Sequence, residues 1–246
     1  MHRMTLTALA LATLAAAGCA NPSKDGGTKA RTAQRMVRAS RGVLAPVYAP
    51  LAEQIVSDFH LADAKGVGID VGSGPGTLII ELCKRTKMRW INADINAEVF
   101  PAFFALAEEA GVADRVGAIQ ADARHLPFRD GFADVIVSRG SFPFWGDADE
   151  KRQGFAEIYR VLKPGGTAYI GRGFSRNFPV ETARAIRARQ GKKMQYDRQK
   201  AADELRGFMK DLGIRDFRVE VPEPAGAGGL NYGVWVEFHK PKAGGE

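Results

Sequence analysis

The chain has 246 residues, 45% of them hydrophobic and 26% charged, a length that suits one α/β domain with a sizeable core and a short appendage rather than several domains. Its formal charge of +7 is uneven: residues 1–41 carry +6 and residues 175–200 carry +6, so the remainder sums to −5. That split argues against a nucleic-acid-coating protein, and two cysteines and four histidines form no cluster with metal-ligand spacing.

At the N-terminus, His2 and Arg3 precede an apolar run from Leu6 to Ala17, too short to span a bilayer but right for a signal-peptide core. Ala16-Ala17-Gly18-Cys19 follows, and small residues before a cysteine resemble the lipobox of bacterial lipoproteins. The resemblance implies residues 1–18 as a signal peptide, Cys19 as the lipidation site and a place in the bacterial cell envelope. Ala16 stands where Leu is usual, which leaves ordinary signal cleavage open, and a start near Met36 would give a cytoplasmic protein. Residues 19–41, with Pro22, Ser23, Gly26 and Gly27, are expected as a flexible tether, and residues 42–246 as the folded domain. Ser40 to Leu61 reads as helical, punctuated by Pro46 and Pro50.

Val67 to Val71 is a short apolar strand that runs into Gly72-Ser73-Gly74-Pro75-Gly76, after which Leu78, Ile79, Leu82 and Cys83 recur at helical spacing. A strand, a glycine turn and a helix N-terminus form a ready anion or nucleotide cradle, because the glycines lack the Cβ atoms that would hold a ligand off the backbone. A dinucleotide fingerprint orders its glycines G-x-G-x-x-G, whereas here the order is G-x-G-x-G with Thr77 next, which disfavours a nicotinamide-dependent oxidoreductase. Asp70, at the strand end, repels pyrophosphate and suits a cationic group. Asp70-Val71-Gly72-Ser73-Gly74-Pro75-Gly76 resembles motif I of the class I S-adenosylmethionine (SAM) methyltransferases, in which this loop cradles the amino-acid end of the cofactor.

The next strand, Met88 to Ala93, ends at Asp94, about twenty residues past the glycines, where a ribose-binding acid is expected, with Ile95 beside it. A third strand, Val116 to Gln120, ends in Ala121-Asp122-Ala123. The resemblance implies that the Asp122 side chain takes the adenine amino group and the Ala123 N–H a ring nitrogen. Asp122 through Leu126-Pro127-Phe128 to Asp134-Val135 is similar to the signature of the branch that includes the ubiquinone and menaquinone methylases. His125, in a loop packed on the adenine side, is placed away from methyl transfer. A helix from about Glu98 to Ala110 lies between strands two and three.

Strand four ends at Val137-Ser138, and the loop Arg139 to Gly146 follows where cofactor methyl and acceptor should meet. Ser141, Phe144 and Trp145 are candidate acceptor contacts there, with the aromatics suited to an apolar wall or to cation–π attraction. Arg139 is open to two roles, gripping a substrate carboxylate or phosphate, or pairing with a neighbouring acid. Tyr48 is likewise open, as a cofactor cover or as a helix-packing aromatic. Asp149 to Leu162 is an amphipathic helix, Thr167 to Gly171 a fifth strand, Gln199 to Leu212 a further helix, and Phe217 to Val221 with Tyr232 to His239 an antiparallel pair. The basic tract 175–200 sits where the family places a cap, either as a solvated arginine-rich face or, with residues 19–41, against an anionic membrane surface.

Together these residues imply an α/β, Rossmann-like, seven-stranded, mostly parallel sheet with helices on both faces and a C-terminal antiparallel hairpin. The implied reaction is SAM-dependent in-line methyl transfer to a small-molecule or lipid-like acceptor, with no catalytic base identified and neither metal nor nucleic acid expected. The alternative is a lipoprotein that keeps the fold as a binding or scaffolding module. An exported enzyme would also have to meet a cofactor that is made in the cytoplasm.

Overall fold

The computed structural model describes residues 24–191 and 196–242; the expected signal segment and Cys19 lie outside them. Seven strands form one sheet in the order β3-β2-β1-β4-β5-β7-β6. Strands β1 (Val67–Val71), β2 (Arg89–Asp94), β3 (Val116–Gln120), β4 (Ala133–Arg139) and β5 (Leu162–Gly173) run parallel. β7 (Gly233–His239) inserts antiparallel between β5 and β6 (Phe217–Glu220). The expected sheet and its terminal antiparallel pair are both present.

Side chains alternate across the pleat, so each strand feeds two cores. Ile69, Val71, Ile136, Ile170 and Val236 point to one face, where α5 (Ala148–Val161) and α7 (Arg198–Asp211) supply Phe155, Ile158, Leu205 and Met209. Trp90, Val135, Val137, Tyr169 and Trp235 point to the other, against α2 (Ala45–Asp58), α3 (Thr77–Arg85) and α4 (Phe100–Glu109), which bring Leu51, Ile55, Ile79, Leu82 and Phe103. Tyr169 and Trp235 stack at 4.7 Å, and Gly68 leaves room for Trp90, since a Cβ there would strike its ring. Cys83 is buried in this second core, and burial pushes its thiol up to about 11.

Three sequence expectations change. Residues 24–41 are helix α1 (Lys24–Arg41), not a tether: Ala33 and Ser40 are buried, and Asn96 Nδ2 donates to the Lys29 carbonyl at 3.1 Å. The helix expected from Ser40 to Leu61 is interrupted by a turn at 42–44 before α2 begins at Ala45. β5 starts earlier than expected, at Leu162, and Lys163 to Gly166 form a bulge, because Ala133 pairs with Leu162 while Val135 pairs with Thr167.

The basic tract is also not a uniformly solvated face. Arg176 pairs with Asp58 at 2.6 Å, Arg198 with Glu223 at 2.9 Å, and Arg187, on α6 (Val180–Gln190), seats its guanidinium 4.4 Å from the Phe174 ring centroid. A membrane-facing role for the tract loses those three cations. No helix among the described residues is long and apolar enough to cross a membrane.

Candidate active site

Strand β1 has β2 on one side and β4 on the other, so chain direction around the sheet reverses between β1 and β4. Crevices at such reversals, beyond the carboxyl ends of parallel strands, are where open α/β sheets bind ligands. A cavity of about 660 Å³ opens there, in the size range of small-molecule sites.

The glycine turn forms its floor. Gly72, Gly74 and Gly76 all have positive φ (69°, 57° and 73°), a backbone that residues with a Cβ rarely adopt. β2 holds the turn in shape: the Gly72 N–H donates to the Ala93 carbonyl, Asn92 Nδ2 to the Gly74 carbonyl, and the Gly74 N–H to Asp94 Oδ2 at 2.7 Å. The space vacated by the absent Cβ atoms is filled by protein, with Ser141 against Gly72, Met36 against Gly74 and Phe103 against Gly76. Of the turn, Gly72, Ser73 and Pro75 line the cavity, whereas the expected contacts Asp70, Gly74 and Gly76 do not.

Asp94 lines the cavity although its residue is only 5% exposed. Its Oδ1 accepts the Asn96 N–H at 2.8 Å, so each carboxylate oxygen takes one backbone donor. Burial raises its pKa, opposed by the Asn96 and Gly74 N–H groups. Asp70 is buried; its Oδ2 accepts from Ser73 Oγ at 2.7 Å and its Oδ1 has no hydrogen-bond partner among the described residues. Burial pushes Asp70 up to about 7, with the Ser73 hydrogen bond and Arg139 opposing and Asp94 adding to the rise. Asp122 reaches the cavity already engaged: Arg124 donates to it from Nε, Nη2 and its own N–H, and also pairs with Glu150. Arg124 holds the Asp122 carboxyl below its usual value. Ile95 and Ala123 complete this end.

The opposite end is built by β4, β5 and α6. Ser141 Oγ donates to the Val71 carbonyl and accepts from Trp145 Nε1, so its hydroxyl is spent on holding the loop, not free for an acceptor. Trp145 is 8% exposed and packs on Phe155 at 5.5 Å, giving the cavity only its edge, whereas Phe144 stands 85% exposed at the mouth. Arg139 lies 5.2 Å over the Tyr48 ring and pairs with no acid within 4 Å among the described residues. Tyr48 also lines the cavity, and burial raises its phenol. His125 lies outside the cavity lining, its Nε2 3.0 Å from Gln153.

Sequence reasoning missed the α1 contribution, where Thr32, Met36 and Ala39 roof the cavity, and also Arg172, Arg187 and Gln190. A signal for α1 was present, since Ala33, Met36 and Ser40 fall at helical spacing. Among the described residues no group of three His, Cys, Asp or Glu side chains stands close enough to hold a metal.

A doubly wound sheet with its reversal beside β1, a G-x-G-x-G floor and a buried acid closing β2 defines a class I methyltransferase architecture. Residues 69–170 match the family described as a methyltransferase domain. The malonyl-[acyl-carrier protein] O-methyltransferase of Geobacter sulfurreducens is 30% identical over 199 residues, covering 78% of this chain and 72% of that protein. The chloroplastic 2-methyl-6-phytyl-1,4-hydroquinone methyltransferase of Arabidopsis thaliana is 35% identical over 102 residues, 42% of this chain; the match spans only 28% of that relative's length. A Methanococcus maripaludis crystal structure, described as a candidate S-adenosyl-L-methionine-dependent methyltransferase, superposes with a TM-score of 0.75 at 29% identity, over 92% of this chain and 98% of that one. The chain belongs to the SAM-dependent methyltransferases, and S-adenosylmethionine is its cofactor.

Proposed function

We propose that the protein transfers the methyl group of SAM to a small, largely apolar acceptor held between the glycine turn and the β4–α6 end of the cavity. The observation that carries this is the cavity's mixed lining, the acids Asp94 and Asp122 beside the glycine turn together with the apolar side chains of Met36, Leu44, Phe144 and Trp145. Relatives named for a phytyl hydroquinone support a lipid-like acceptor. When bound, the cofactor supplies an electrophilic methyl on a sulfonium.

The residues present fit that cofactor. Asp94 is oriented by two backbone donors and retains lone pairs for two ribose hydroxyls. Asp70 lies behind Ser73 and outside the cavity lining, so it acts on a cofactor ammonium through space and by holding the Ser73 hydroxyl, not by direct contact. Asp122 and the Ala123 N–H remain the adenine contacts, with Asp122 shared between adenine and Arg124. Tyr48 covers the cavity beside Arg139. Raised by burial, its phenol is a poor general base, so alignment and desolvation carry the reaction.

Calorimetry with SAM, S-adenosylhomocysteine and NAD tests the reading. Both sulfur cofactors should bind, and Asp94→Asn, which keeps one acceptor for the turn, should weaken each at least about tenfold, as lost charge-assisted hydrogen bonds imply. Unchanged affinity would refute the ribose assignment, and binding of NAD alone would overturn the methyltransferase reading. For location, the reading is a lipoprotein anchored through Cys19, with cytoplasmic residence the alternative if translation starts downstream, near Met36.

A further inference from the structure

Three arginines line the β4–α6 end of the cavity from separate elements: Arg139 from the end of β4, Arg172 from β5 and Arg187 from α6. Each guanidinium lies on an aromatic ring, Arg139 over Tyr48 at 5.2 Å, Arg172 over Tyr196 at 3.7 Å and Arg187 over Phe174 at 4.4 Å. None has a carboxylate within 4 Å among the described residues, where most other arginines near acids are paired. Their hydrogen bonds are few and neutral: Arg139 Nε to the Gly173 carbonyl at 3.2 Å, Arg187 Nε to the Asn231 carbonyl at 2.7 Å and Arg187 Nη1 to Gln190 Oε1 at 2.8 Å. Arg172 donates none among the described residues.

Like charges gathered in a half-buried site repel one another and lose hydration, a cost that persists only where something offsets it. The mutual strain is visible at Arg187, which burial first, then Arg139 and Arg172, push down to about 10 against an opposing contribution from Tyr196. Asp70, whose charge acts on Arg139 from behind the glycine turn, is pushed up to about 7 by burial and so is about half protonated near neutral pH. The cofactor does not balance the cluster either. SAM carries one carboxylate but also an ammonium and a sulfonium, so its net charge is positive. A ring beneath each guanidinium fixes its plane and leaves its N–H edges for planar, bidentate contact with an oxyanion.

We propose that Arg139, Arg172 and Arg187 form an oxyanion subsite for the methyl acceptor, so that the acceptor is an amphiphile with an apolar body and a carboxylate or phosphoryl group. The proposal rests on the methyltransferase reading of the same cavity and adds the acceptor's charge to it.

The test titrates the full chain with octanoate, octyl phosphate and octanol, first alone and then saturated with S-adenosylhomocysteine, so that the cofactor's own carboxylate site is filled. At least one anion should bind about tenfold or more tightly than octanol, and whichever anion binds better identifies the source of the charge. The Arg172→Gln/Arg187→Gln variant should lose that preference, and Arg172→Lys/Arg187→Lys should recover part of it, with thermal unfolding confirming that both fold. Octanol binding as tightly as both anions, or an anion preference that survives in the Gln variant, would overturn the subsite. So would a Gln variant that loses S-adenosylhomocysteine while the amphiphiles never discriminate, because the arginines would then serve the cofactor alone. Failure of S-adenosylhomocysteine to bind the wild type, with an arginine-dependent anion preference intact, would sink the methyltransferase reading and leave the subsite standing.

Discussion

Asp70 couples the site to pH in a direction opposite to that of most carboxylates. Its folded pKa, near 7, lies above the ordinary value of 3.8, so the folded protein binds more protons than the unfolded chain between those values. The stability Asp70 contributes is therefore full below about pH 4 and is lost as pH rises through about 7. A cofactor ammonium in the cavity, on the far side of Ser73, would oppose this through space by favouring the carboxylate. SAM affinity should accordingly rise between about pH 5.5 and 7.5, and Asp70→Asn should flatten that profile while raising stability near neutrality relative to wild type. Calorimetry and thermal unfolding over that range check both; parallel pH profiles for the two proteins would show that Asp70 does not titrate there. Asp94 has a double duty that its place after a strand did not disclose. The sequence marks it as the acid that ends β2, but not as the residue that shapes the turn through Gly74, since that contact depends on β1 and β2 pairing side by side.

At the scale of elements, α1 departs most from expectation. Its segment is polar and follows a signal-like run, and its helix is held by what it covers, with Ala33 and Ser40 buried and Met36 filling the hollow at Gly74. Tertiary contact, not intrinsic propensity, decides such a helix. A chain begun at Met36 would lose Thr32 from the cavity, the buried Ala33 and the Lys29–Asn96 hydrogen bond. That truncation should weaken S-adenosylhomocysteine binding at least about tenfold and lower the unfolding temperature. Full affinity in the truncated protein, measured by calorimetry, would show that α1 is dispensable. The strands were legible because apolar alternation is a local signal, and so was the terminal antiparallel pair. The fate of the arginines was not: whether a cation is solvated or seated on an aromatic ring depends on Phe174 and Tyr196, which no local pattern links to Arg187 and Arg172.

Over the whole molecule, the two basic tracts read from charge alone resolve differently. Cations of the second tract are drawn inward, Arg187 to the cavity and Arg176 and Arg198 to acids on other elements. Of the first tract, the cations within Lys24–Arg41 belong to α1, the helix whose Thr32, Met36 and Ala39 line the cavity, and Arg3 lies outside the described residues. Attachment at Cys19 is testable independently of the fold. Labelling with a palmitate analogue in a bacterial host should mark the wild type and not Cys19→Ser, and equal labelling of both would remove the anchor. Because α1 begins at Lys24, five residue steps separate it from Cys19, a span of at most about 18 Å when fully extended. An acyl group on that sulfur would tie only the start of α1 to a bilayer, with Thr32 to Ala39, which roof the cavity, about 12 to 22 Å further along the helix.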